Sequence, residues 1–178
     1  GWSRSPDLVL GLWPSLVSAP QPDWPPQART TGFVTYDGPT ARGWTMPDEV
    51  AERDDWVVFT PGTQMTHGAA YFAAAAEAAE RLGAPTLFVT RSREVLPERI
   101  PDTVRHLSYA PFSKLFPHAA LVVHHGGIGT AGRALQAGVP QLIVPSGFDQ
   151  FDNAARVVRG GWGRKLDRRH LDGPRLAS

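Results

Sequence analysis

The chain has no cysteine among its 178 residues, which excludes disulfides, thiolate metal sites and cysteine nucleophiles together. It also lacks any apolar stretch approaching the roughly 18 residues of a membrane span. Residues 1–6 (GWSRSP) carry no apolar core of a secretory signal. Both absences lead to the expectation of a cytoplasmic protein. Eighteen Lys and Arg against 17 Asp and Glu leave a formal net charge of +1. The two signs are interspersed, with no block of like charge to track a phosphate backbone, so nucleic acid is not an expected partner.

Proline is present, but unevenly. Pro14, Pro20, Pro22, Pro25, Pro26, Pro39 and Pro47 break up the opening third, where neither a long helix nor a central strand can form. Residues 7–12 (DLVLGL) read as one short strand and 20–26 (PQPDWPP) as an extended, polyproline-like stretch. Residues 1–50 are therefore expected to be mostly linker. From Asp55 onward the pattern changes to short apolar runs alternating with alanine-rich helical stretches, the signature of parallel strands with crossover helices. Strands are expected at 56–60, 86–90, 105–109, 119–123, 141–145 and 163–166, with helices at 66–82, 128–137 and 151–159. Asp172-Gly-Pro174 has the features of another helix start. The expected fold class is α/β, a Rossmann-like parallel sheet flanked by helices.

The sharpest local signal is His125-Gly-Gly-Ile-Gly-Thr130 between the apolar run 119–123 and a helix. Glycines there let the backbone approach an anion, and the free N–H groups opening the helix point at it with the positive end of the helix dipole. Thr130 adds a hydroxyl, and His125 can hydrogen-bond or pair with a phosphate oxygen. A tight turn with structural histidines would produce the same string. Asp149-Gln150 stands at the next strand-to-helix junction, on the same sheet edge, where Asp149 can accept from sugar hydroxyls and Gln150 can both donate and accept. Helix capping by Asp149 is the competing role. Thr60-Pro-Gly-Thr63 closes the first core strand, with Gly62 and Thr63 as further donors toward the same anion.

Taken in order, His125-Gly-Gly-Ile-Gly-Thr130, Gly138-Val-Pro140, Pro145 and Asp149-Gln150 resemble the donor-binding signature of nucleotide-diphosphate-sugar glycosyltransferases of the two-Rossmann-domain (GT-B) architecture. The resemblance covers roughly residues 30–170, including Gly32-Phe-Val-Thr-Tyr-Asp37. The segments 19–26 (APQPDWPP) and Tyr109-Ala-Pro-Phe112 are most similar to bacterial rhamnosyltransferase-like and sterol glucosyltransferase-like members. The resemblance implies one half of a GT-B architecture: 1–50 as linker and the end of a missing N-terminal acceptor domain, and 51–178 as the donor-binding domain, truncated at its C-terminus. It implies that Thr63, His125, Gly127, Gly129 and Thr130 hold the diphosphate. It places Tyr109, Ala110 and Phe112 at the nucleoside and Asp149 and Gln150 at the hexose. Phe112 stands where Gln is commoner, and Arg133 where plant members often carry a ribose-binding Glu.

The implied reaction is transfer of a hexose from a UDP or dTDP sugar to a hydroxyl of a lipid, sterol or natural-product acceptor, with inversion. The nucleotide sugar is then a substrate, and no cofactor is expected. No Asp-X-Asp triplet occurs, so no metal site is assigned and metal independence is expected. The general base belongs to the missing domain, and none of His67, His106, His118 or His170 is assigned that role. The chain is expected to bind nucleotide without transferring sugar alone. Two other readings stay open: a non-catalytic nucleotide-binding or auxiliary partner domain, and one half of a sugar-nucleotide epimerase.

Overall fold

A computed structural model describes residues 5–62 and 68–178. The chain divides into two compact units, residues 1–36 and 37–178. Residues 37–50, expected as linker, therefore lie in the larger unit.

In the smaller unit, β1 (Val9–Gly11) pairs in parallel with β2 (Ala28–Thr30). The first was expected within 7–12. The second was not, because three residues between prolines carry no readable alternation. Trp13 and Trp24 meet edge to face at 6.0 Å, and the Trp13 indole N–H donates to the Ser18 carbonyl at 3.2 Å.

The larger unit opens with a one-turn helix, α1 (Asp48–Ala51). It continues through β3 (Trp56–Thr60), α2 (Gly68–Leu82), β4 (Thr86–Val89), β5 (Val104–Leu107), α3 (Phe112–Leu115) and β6 (Ala119–His124). Then come α4 (Ile128–Ala137), β7 (Gln141–Ile143), α5 (Gln150–Arg159), β8 (Gly163–Lys165) and α6 (Gly173–Leu176). The six strands form one parallel sheet in the order β5-β4-β3-β6-β7-β8. Strand side chains alternate between two covered faces. Phe59, Phe88 and Val123 join Tyr71 and Phe72 on one side, while Val58, Leu87 and Val122 join Leu115, Phe116 and Ala134 on the other. The expected stops hold: Gly83 and Gly138 end α2 and α4 with φ of 60° and 70°, a conformation that only glycine adopts without strain.

The strand order fixes where a ligand belongs. The chain winds outward from β3 to β5, then returns to lay β6 on the other side of β3. The carboxyl ends of β3 and β6 thus diverge at a topological switch point, where open α/β sheets leave a crevice. Thr60 and His124 are register partners there, so the turns that follow them share one edge.

Candidate functional site

The turn after β6 is built by its own side chains. His124 is fully buried; its Nδ1 accepts the Gly126 N–H at 3.1 Å, which places the ring proton on Nε2, facing the Gln141 carbonyl oxygen at 2.9 Å. Burial pushes its pKa down to about 3, opposed by the Gln141 hydrogen bond and helped by His125. His124 is therefore a neutral brace. Gly126 has φ 95°, and a Cβ there would lie 2.8 Å from Ile143 Cγ2 and 3.1 Å from the Gln150 carbonyl oxygen. This turn therefore requires glycine.

His125 points the other way. A Cβ on Gly62 would come within 2.5 Å of its Cε1, and one on Gly127 within 2.5 Å of its Nε2, so the imidazole lies across both glycines. Its Nδ1 is buried with no partner among the described residues. Burial lowers its pKa, and the Asp149 carboxylate works against that shift. Gly127 then forms the N-cap of α4 with no side chain to close it. The first helical bond runs from the Ala131 N–H to the Gly127 carbonyl at 3.0 Å, so the N–H groups of Ile128, Gly129 and Thr130 are the orphan donors of this helix end. Gly129 is exposed and Thr130 half-buried beside them. Thr63 lies outside the described residues.

The second junction is joined to the first by a residue that sequence reading missed. Asn153 Nδ2 donates to the Gly126 carbonyl at 2.9 Å and to the Asp149 carboxylate at 2.8 Å. Asp149 occupies the N-cap of α5 but makes no side-chain cap bond, so capping does not account for it. Gln150 Oε1 accepts from the Ser146 N–H, the Ser146 hydroxyl and the Gly147 N–H at 2.8, 3.1 and 3.2 Å. Its carbonyl is thereby committed to the loop, which leaves the side-chain N–H groups for a ligand and narrows the expected donor-and-acceptor role. The signal for Asn153 was its helical spacing, one turn after Asp149 and on the buried face of α5.

Tyr109, Ala110 and Phe112 follow β5, at the far edge of the sheet. Asp37 links Tyr109 to α4: the Tyr109 hydroxyl donates to the Asp37 carbonyl at 2.5 Å, and the Asp37 carboxylate accepts from Arg133 of α4 at 2.7 Å. The Arg91 guanidinium lies 5.5 Å from the Tyr109 ring centroid. Ala110 is buried. Phe112 stacks on Phe116 at 4.5 Å, against the buried cluster, so its ring is committed to packing.

Comparison with known proteins agrees with the topology. Residues 86–178 match the model for the C-terminal domain described as erythromycin biosynthesis protein CIII-like. The chain is 35% identical over 153 residues to O-mycaminosyltylonolide 6-deoxyallosyltransferase of Streptomyces fradiae, covering 83% of this chain and 35% of that protein. It is 40% identical over 110 residues to elloramycin glycosyltransferase ElmGT of Streptomyces olivaceus, covering 60% and 29%. Among solved structures, spinosyn rhamnosyltransferase SpnG complexed with thymidine diphosphate superposes with a TM-score of 0.80 at 28% identity, covering 98% of this chain and 47% of that one. The chain thus spans about a third of these curated relatives and about half of the solved one. With this topology, and with the family match running from β4 to the last residue, the chain belongs to the erythromycin biosynthesis protein CIII-like C-terminal domain family of GT-B glycosyltransferases.

Proposed function

We propose that this chain is the donor-binding half of a glycosyltransferase that moves a hexose from a UDP or dTDP sugar to a hydroxyl of a natural-product, sterol or lipid acceptor, with inversion. The observation that carries this reading is the Asn153 bridge. One amide holds the carbonyl of the anion turn and the carboxylate of Asp149, so a diphosphate on α4 and a hexose at Asp149 are bound as parts of one ligand. His125, Gly127, Gly129 and Thr130 take the diphosphate in this reading, and Thr63 is a further candidate donor. The backbone of residues 110–112, with Tyr109, takes the nucleoside, and the Gln150 amide N–H groups join Asp149 at the sugar.

The chemistry is electrostatic. As the bond from the anomeric carbon to the diphosphate breaks, negative charge gathers on the leaving oxygen. The uncapped N–H groups of α4 and His125 stabilise that charge where it develops. His125 is held toward its neutral form by burial, and an arriving diphosphate draws a proton onto it. In this reading no metal or cofactor takes part. The remaining length of such an enzyme supplies the acceptor pocket and the base that deprotonates the attacking hydroxyl.

The test is calorimetric titration of the purified protein with UDP, dTDP, GDP and ADP, repeated on His125→Ala. A pyrimidine diphosphate is expected to bind saturably, and His125→Ala to weaken it about tenfold to a hundredfold, the range of a charge-assisted hydrogen bond. A folded protein that binds none of the four sinks the reading.

A further inference from the structure

Among the described residues, Phe148 is the one non-glycine residue with positive φ, at 55°. The residue is also 90% exposed. The two facts pull against folding stability together. A left-handed aromatic residue carries backbone strain that glycine would not, and a ring left in water gains nothing from burial. Neither packing nor turn geometry accounts for phenylalanine here.

The loop that holds it is nonetheless well fastened. Gln150 Oε1 accepts two backbone N–H groups and a hydroxyl from Ser146 and Gly147, on one side of Phe148. On the other side Asp149 is fixed by Asn153. Strain that the surroundings over-determine concentrates at sites that meet a ligand. The polar groups in this loop already have sugar hydroxyls to meet in the proposed function. What the ring adds is a flat apolar surface immediately beside them. An aromatic side chain so little enclosed by its own chain closes no pocket among the described residues.

We propose that Phe148 is an acceptor-selecting residue contributed by the donor half. Its ring is a platform on which an apolar, hydroxyl-bearing acceptor rests next to the sugar held by Asp149. This rests on the donor-site reading above and deepens it. Acceptor selection is then shared between the two halves of the enzyme, and changing this one residue shifts acceptor preference without touching the diphosphate site.

The test uses the full-length enzyme loaded with whichever nucleoside diphosphate it binds, titrated with 4-methylumbelliferone, a flat apolar phenol read by its fluorescence. Wild type is expected to bind the probe saturably, and F148A and F148G to weaken it about tenfold or more, the scale of exchanging an aromatic platform for water. F148L is expected to recover part of the affinity, with nucleotide affinity within about twofold throughout. The thermal midpoint of F148G is expected not to fall. Unchanged probe affinity in F148A, absence of saturable probe binding by wild type, or a midpoint several degrees lower in F148A each overturns the proposal, the last because it makes the ring structural. Intact nucleotide binding in those cases discards the role of Phe148 alone. A wild-type enzyme that binds no nucleotide discards the donor-site reading with it.

Discussion

His124 and His125 are neighbours of the same type with opposite tasks, and the difference is one step of strand alternation. His124, the last residue of β6, turns into the sheet between the Gly126 N–H and Gln141; His125, the first beyond it, turns out over Gly62 and Gly127. The sequence singles out His125 for the anion but says nothing of the bracing task of His124, because Gln141 is 17 residues away and its partnership is tertiary. The brace has a thermodynamic signature. In the unfolded chain a histidine titrates near 6.5, whereas burial holds His124 neutral down to about 3. Between those values the unfolded state binds a proton that the native state refuses. The stability from neutral burial is therefore complete above pH 6.5 and is lost as pH falls, with a slope approaching about 1.4 kcal/mol per pH unit. The lowered pKa of His125 adds to the loss in the same direction. Urea unfolding between pH 7 and pH 4 is expected to show this fall, and His124→Gln to flatten it. Equal slopes in the two proteins would remove His124 as the cause.

At the scale of elements, helices with strong stops were legible and polar connections between them were not. The expected helix at 128–137 matches α4 (Ile128–Ala137), and the strand expected at 56–60 matches β3 (Trp56–Thr60), because apolar runs bounded by Gly and Pro leave little choice. The strand expected at 105–109 instead occupies Val104–Leu107, where backbone pairing with β4 decides the ends. Asn153 was illegible as a functional residue because its meaning depends on Gly126, 27 residues earlier. Its two bonds tie the turn before α4 to the start of α5. Replacing it with leucine strands the Gly126 carbonyl and frees the Asp149 carboxylate, with an expected loss of about 1–3 kcal/mol in folding stability. A second effect separates framing from mere packing. Asn153→Leu is expected to weaken dTDP-glucose more than dTDP in parallel calorimetric titrations, since only the sugar depends on where Asp149 is held. Equal weakening of both ligands would make Asn153 a structural residue only.

At the scale of the larger unit, its first and last segments are both tied to the rest of the unit by polar contacts. In the last segment the Gly173 N–H donates to Glu77 of α2 at 3.3 Å. In the first, Asp37 accepts from Tyr109 through its carbonyl and from Arg133 through its carboxylate, and Lys114 donates to the Trp44 carbonyl at 3.1 Å. The segment from 37 to 47 is thereby drawn across α3 and α4, which is why it belongs to this unit despite a composition that reads as linker. Its prolines and polar residues describe local backbone, whereas Arg133 is 96 residues away and no local pattern announces it. The Asp37–Arg133 pair has side chains only 17% and 14% exposed, so neither charge is well solvated. Removing one partner leaves the other partly desolvated, at an expected cost of about 2–4 kcal/mol, while removing both costs less than the sum. Urea unfolding of Asp37→Ala, Arg133→Met and the double variant is expected to give a coupling energy of about 1–3 kcal/mol. The Tyr109 hydroxyl bonds the backbone carbonyl of residue 37, which Asp37→Ala and Arg133→Met both keep, so neither single variant removes that acceptor. Additive losses, with coupling below about 0.5 kcal/mol, would show that the segment is held by packing and backbone bonds rather than by this ion pair.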